Sequence, residues 1–157
     1  MTHLPRRLFL KNTLATAVLL GAGGTGLFRP GWAFAAEWPK DAFTAKTFED
    51  ALKALFGTSD MTPSAAVKLK APTQAENSAQ VQIQVTAEMP NVEAIAVFVE
   101  KNPSPLVAHA SLAGAVGYFS ARMKMGQTSD VYAVVKAGGK LHVAKQNIKV
   151  TAGGCGG

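Results

Sequence analysis

The 157-residue chain has one cysteine, Cys155, and three histidines. A lone cysteine rules out any disulfide within the chain. His109 and His142 both fall inside strand-like patterns. Neither has a second His or Cys at ligand spacing, which argues against a metal site. No G-x-S-x-G, P-loop or H-E-x-x-H motif occurs. Glu88, Glu93 and Glu100 lie at strand ends, where solvated carboxylates are ordinary, and nothing positions a partner for acid–base work. The sequence therefore predicts no catalytic residue, no metal and no cofactor: this is not an enzyme.

Acidic residues are missing from the start of the chain, where none precedes Glu37. The formal charge of +6 comes largely from that region. Arg6, Arg7, Lys11 and Arg29 are four of the 16 basic residues, which leaves 12 to face all 10 acids from Ala36 onward. A balance of +2 gives no basic stripe for nucleic acid. Long hydrophobic runs are missing too. The stretch from Leu14 to Phe28 is interrupted by Gly21, Gly23, Gly24 and Gly26. It falls short of the roughly 20 apolar residues a membrane span needs, so no membrane anchor is expected.

What residues 1–35 do contain is a basic zone, a modestly apolar stretch and an A-x-A pattern at Ala33-Phe34-Ala35, the layout of a cleavable export signal. Arg6 to Lys11 reads RRLFLK, which resembles the twin-arginine signal R-R-x-F-L-K. That resemblance implies export of an already folded protein to the periplasm.

From Lys46 to Gly57 the apolar residues Phe48, Ala51, Leu52, Leu55 and Phe56 follow helical spacing, with Thr47 as N-cap and Gly57 as terminator. After Pro63 the period falls to two. AVKLKA, AQVQIQVTAE, EAIAVFVE, PLVAHASL, GYFSARMKMG, SDVYAVVKA and KLHVAKQNIKVT are seven short strands separated by turn signals. In the second, Val81, Ile83 and Val85 face one way and the glutamines the other. The third is continuously apolar, as a strand covered on both faces would be. Gly138-Gly139 predicts a tight hairpin. The reading is all-β: an immunoglobulin-like antiparallel β-sandwich over residues 36–150, with a short N-terminal helix.

Residues 151–157 read TAGGCGG and continue no pattern. Cys155 lies five residues beyond Val150, so the tail holds its thiol up to about 16 Å from the fold, at roughly 3.3 Å per residue. Gly153, Gly154, Gly156 and Gly157 make the tether flexible and strip it of obstructing side chains. So exposed a thiol keeps a pKa of about 8.5 unless a partner lowers it. Taken alone, these residues fit a carrier arm, a cysteine kept for an intermolecular disulfide, or a cloning remnant. C-terminal prenylation wants the cysteine fourth from the end, and here it is third.

The tail VTAGGCGG is similar to the end of the SoxY family, sulfur carriers of the periplasmic thiosulfate-oxidizing Sox system. AFTAKTFEDALKALFG, VKLKAPTQAENSAQVQIQV, VEAIAVFVEKNPSPLVAHASL and ARMKMGQTSDVYAVVKAGGKL resemble successive blocks of that family, in order. Ser78, where glycine is expected, and Ala152, where a larger apolar residue is common, depart from the pattern without touching the thiol or its glycines. The resemblance implies that Cys155 carries sulfur covalently, as a thiosulfonate or persulfide, on a swinging arm of Gly153, Gly154, Gly156 and Gly157. It implies SoxZ as heterodimer partner, with the SoxAX cytochrome, the SoxB hydrolase and a sulfane dehydrogenase as transient partners. The alternative is an exported interaction module whose Cys155 forms only an intermolecular disulfide. A ubiquitin-like sulfur carrier ending in Gly-Gly would be cytosolic and β-grasp, against both the export signal and the run of strands.

Overall fold

Thr47 opens the expected helix: its hydroxyl oxygen accepts the Asp50 N–H at 3.1 Å, and Gly57 closes it in the left-handed conformation at φ 77°. The computed structural model describes residues 38–151. This helix, α2 (Phe48–Phe56), is preceded by a short α1 (Lys40–Thr44) that the sequence reading does not contain. With five residues and no capping side chain, α1 carries no periodicity to detect. Ser104 fastens it to the sandwich by donating its hydroxyl to the Phe43 carbonyl at 2.7 Å.

The seven expected strands all form: β2 (Val67–Lys70), β4 (Val81–Ala87), β5 (Val92–Val99), β6 (Leu106–Ser111), β7 (Tyr118–Met123), β8 (Ser129–Ala137) and β9 (Lys140–Val150). β2-β4-β7 make one sheet, and β9-β8-β5-β6 the body of the other, all antiparallel. Two two-residue strands, β1 (Thr62–Pro63) and β3 (Gln74–Ala75), add parallel pairs to β9 and are the exceptions to the antiparallel plan. Gly138 and Gly139 turn β8 into β9 with φ of 56° and 75°, values that suit glycine in a two-residue hairpin.

Two apolar layers hold the domain. Between the sheets, Val81, Ile83 and Val85 of β4 meet Ile95, Val97 and Val99 of β5 and Val131, Ala133 and Val135 of β8. On the outer face of the larger sheet, Ala96 and Phe98 of β5 and Val134 of β8 pack under Ala51 and Leu52 of α2. The alternate residues of β5 thus enter two different cores, which is why its sequence lacks a polar face. Among the described residues, no helix is long and apolar enough to cross a membrane.

The charged rim gives a stability test. Asp130 accepts the Asn147 side-chain N–H at 2.6 Å and lies 3.2 Å from Lys145 Nζ. The Asn147 hydrogen bond, aided by Lys145, holds its carboxyl below the ordinary carboxylate value. The folded chain therefore keeps Asp130 ionised where the unfolded chain already takes up a proton. That contribution is complete above the unfolded pKa of about 3.9 and is lost as pH falls through the lower folded value. Asp130→Asn should lower the urea midpoint modestly at neutral pH and flatten its decline below about pH 4, so that the two chains converge in acid. An unchanged acid limb would show that Asp130 does not report folding.

Candidate functional site: the root of the C-terminal arm

β9 outruns its neighbour. Its last pair with β8 is Ile148 opposite Ser129, so Lys149, Val150 and Thr151 project beyond that ladder. A bare strand end would leave these N–H groups to water and fray. Here each is bonded. On one side, the Lys149 N–H donates to the Thr73 carbonyl at 3.0 Å, and β3 pairs Gln74 with Lys149 and Ala75 with Val150. Both the N–H and the hydroxyl of Thr151 donate to the Ala75 carbonyl at 3.4 Å. On the other side, where β8 has ended, the Val150 N–H donates to the Thr128 hydroxyl oxygen at 2.9 Å.

The two flanks of this strand end are tied to each other and to the core. Ala75 is buried in the inter-sheet core, with Val150 packed against the same cluster. The Met125 N–H donates to the Ser78 carbonyl at 2.8 Å, joining the loop before β8 to the segment that carries β3. Asn102 holds that loop from below, accepting the Gly126 N–H at 3.0 Å and donating to the Lys124 carbonyl at 2.8 Å. A groove of about 280 Å³, lined by Gln74, Glu76, Asn77, Gln80 and Gln82 among others, flanks the root. A larger one, of about 550 Å³, lies at the opposite end of β9 beside Gly139 and Leu141.

Among the described residues, the titratable groups away from the root form no reactive constellation. His109, on β6, sits half-buried with its ring 6.3 Å from that of Phe56, and burial lowers its pKa. His142 stands opposite Thr62 in the β1–β9 pair. Tyr132 donates its hydroxyl to Glu100 at 3.1 Å; burial first, then Glu100, pushes its pKa up to about 12. Glu93 is held below its ordinary value by the Gly139 N–H and then by Lys136, a brace for the β8–β9 turn. Among the described residues no three His, Cys, Asp or Glu side chains converge as a metal site would require.

The expected site residues Cys155, Gly153, Gly154, Gly156 and Gly157 lie outside the described residues, as do Arg6 and Arg7 of the signal. What the structure adds is their foundation, the fixed end at Thr151. Sequence reasoning missed Thr128, Thr73 and Ala75 there. A two-residue strand and a single hydroxyl carry no periodicity, and both act on a segment distant along the chain.

A solved structure of the sulfur carrier protein SoxY from Chlorobium limicola f thiosulfatophilum is 40% identical, with a TM-score of 0.60, over 65% of this chain and 94% of that one. A superoxide reductase (neelaredoxin) from Ignicoccus hospitalis, 18% identical over 55% of this chain and 80% of that one, has a TM-score of 0.48, too low to carry an argument. No curated protein matches significantly. The profile of the family described as "Sulfur oxidation protein SoxY" matches residues 52–155, from the buried face of α2 through both sheets to the cysteine itself. A match of that extent, ending on Cys155, makes the chain a member of the SoxY family.

Proposed function

We propose that the chain is a covalent carrier of sulfur intermediates in periplasmic thiosulfate oxidation, with Cys155 as the attachment point. The observation that carries this reading is the family match that runs through the sandwich and closes on residue 155. The 40% identical relative, itself titled a sulfur carrier, supports it. So does the architecture: a strand end bonded on both sides, followed by a short glycine-rich tail with the one thiol.

The chemistry balances with the chain as bound substrate and its partners as catalysts. The Cys155 thiolate and thiosulfate lose two electrons to a cytochrome acceptor and join through a new S–S bond, giving Cys155–S–S–SO₃⁻. Water then attacks the terminal sulfonate, releasing sulfate and one proton and leaving the persulfide Cys155–S–SH. Loss of six electrons from that outer sulfur to a cytochrome acceptor, with its oxygens drawn from water, gives Cys155–S–SO₃⁻, and a second hydrolysis releases sulfate and restores the thiol. SoxAX, SoxB and a sulfane dehydrogenase would supply these steps, and SoxZ would complete the carrier as its heterodimer partner. Tethering keeps reactive sulfur from diffusing away and raises its effective concentration at each enzyme to the millimolar range. The twin-arginine resemblance at Arg6 and Arg7 supports export to the periplasm in the folded state.

Intact mass of the chain from thiosulfate-grown cells, before and after mild reductant, tests this. Adducts of about 32 and about 112 Da, mapped to Cys155 and removed by reductant, are expected for the persulfide and thiosulfonate. A bare thiol, or a disulfide dimer alone, during active thiosulfate oxidation would overturn it.

A further inference from the structure

We infer that Thr128 and the Thr73–Ala75 segment form a clamp that sets the pivot of the arm at Thr151, an inference that rests on the carrier reading above. β8 supports β9 only as far as Ile148. Without further contacts the free chain would begin at Lys149, and Cys155 would lie seven positions from the last fixed residue instead of four. At roughly 3.3 Å per residue, those three residues add up to about 10 Å of reach and widen the directions in which the arm can leave the fold.

The clamp removes that slack from both sides. Its inner jaw is backbone: the Thr73 and Ala75 carbonyls take the Lys149 and Thr151 N–H groups. Its outer jaw is a side chain, since Thr128 precedes β8 and its hydroxyl oxygen stands where a strand carbonyl would be. Each jaw is itself held. Ala75 is 4% exposed in the core, the Met125–Ser78 bond joins the jaws, and Asn102 ties down the loop that carries Thr128. Thr128 is solvent-exposed and absent from both apolar layers, so its hydroxyl is the part that matters. A carrier needs this division. Freedom beyond the pivot lets the thiol orient, while a fixed pivot keeps its search volume small, and effective concentration falls at least as the −3/2 power of tether length. Thr128 is thus a positioning residue, acting on Cys155 through Val150.

The test uses the full chain with Thr128→Val, Thr128→Ser, and Thr128→Val combined with Thr151→Pro, which removes the acceptor of the outer jaw and the N–H that the Ala75 carbonyl of the inner jaw holds. Amide exchange at Val150 should quicken by about tenfold or more in Thr128→Val and return to the parent rate in Thr128→Ser, which keeps the hydroxyl. The unfolding midpoint should stay constant across the two single variants. Electron–electron distances between nitroxides on Cys155 and on Gln82→Cys, an exposed β4 position, should broaden and extend by up to about 7 Å in the double variant, where Lys149 keeps its bond to Thr73. Unchanged exchange at Val150, or an unchanged distance distribution in the double variant, would overturn the clamp. Sulfur loading of the parent chain is read separately by mass. Loss of the carrier reading would remove the adducts, whereas loss of the clamp would leave the adducts in place.

Discussion

Cys155→Ser should reduce thiosulfate-derived adducts and thiosulfate-dependent electron transfer to background, without altering the fold. The loss is complete because a hydroxyl cannot stand in for the thiol. A thiol ionises to a nucleophilic thiolate far more readily than a serine hydroxyl, which offers essentially no anion and forms no S–S bond. On the proposed carrier reading no partner enzyme can supply the missing atom, since the Cys155 sulfur would be the substrate's point of attachment. Stability should change by less than about 0.5 kcal/mol, as for a surface substitution, because Cys155 lies beyond the clamped end of β9. Electron transfer with the purified partner enzymes, together with a urea unfolding curve, checks both halves. If the variant lost a disulfide dimer but kept full thiosulfate-dependent electron transfer, Cys155 would be an interaction cysteine and not a carrier.

The visibility of each part of the molecule in its sequence follows how local its cause is. The α2 stripe of Phe48, Leu52 and Leu55 and the left-handed Gly57 are decided within one or two turns of chain, and all were legible. The Gly138-Gly139 hairpin was legible for the same reason, since positive φ at two successive residues all but demands glycine. β5 betrayed its burial on both faces by having no polar alternation, although nothing in it says that helices cover one face. α1 was not legible: five residues without a cap depend on Ser104 and on stacking between Trp38 and Phe43, with ring centroids 4.5 Å apart. The pairing of β3 with the end of β9 joins residues some 75 positions apart by two backbone contacts, and no local pattern encodes that. The arm divides in the same way. Cys155 stood out because an unpaired thiol among glycines has no structural use, while the clamp beneath it is made of Thr and Ala, residues that look unremarkable anywhere.

The second large effect is on stability. Phe98→Ala should destabilise the domain by about 3–5 kcal/mol and lower its melting temperature by about 12–20 °C. Phe98 is fully buried in the layer between the larger sheet and α2. It meets Phe48 edge-to-face at 5.2 Å between ring centroids, and Phe48 in turn stacks on Tyr132 at 4.5 Å. Neighbouring strands flank it, Tyr132 on β8 and Leu106 on β6, so the sheet cannot close over the missing ring and a cavity remains. The same truncation at half-buried Phe48 should cost less, because part of its ring already faces solvent. A loss below about 1.5 kcal/mol at Phe98, measured by urea unfolding, would mean that α2 is not an integral part of the domain. The arm supplies an independent control. Its root is built on Ala75, Ile148 and Val150 in the inter-sheet layer, on the other face of the larger sheet from Phe98. Molecules of Phe98→Ala that remain folded should therefore carry sulfur on Cys155 at the parent rate, whereas a shared defect in stability and loading would tie the helix-covered face to the function of the arm.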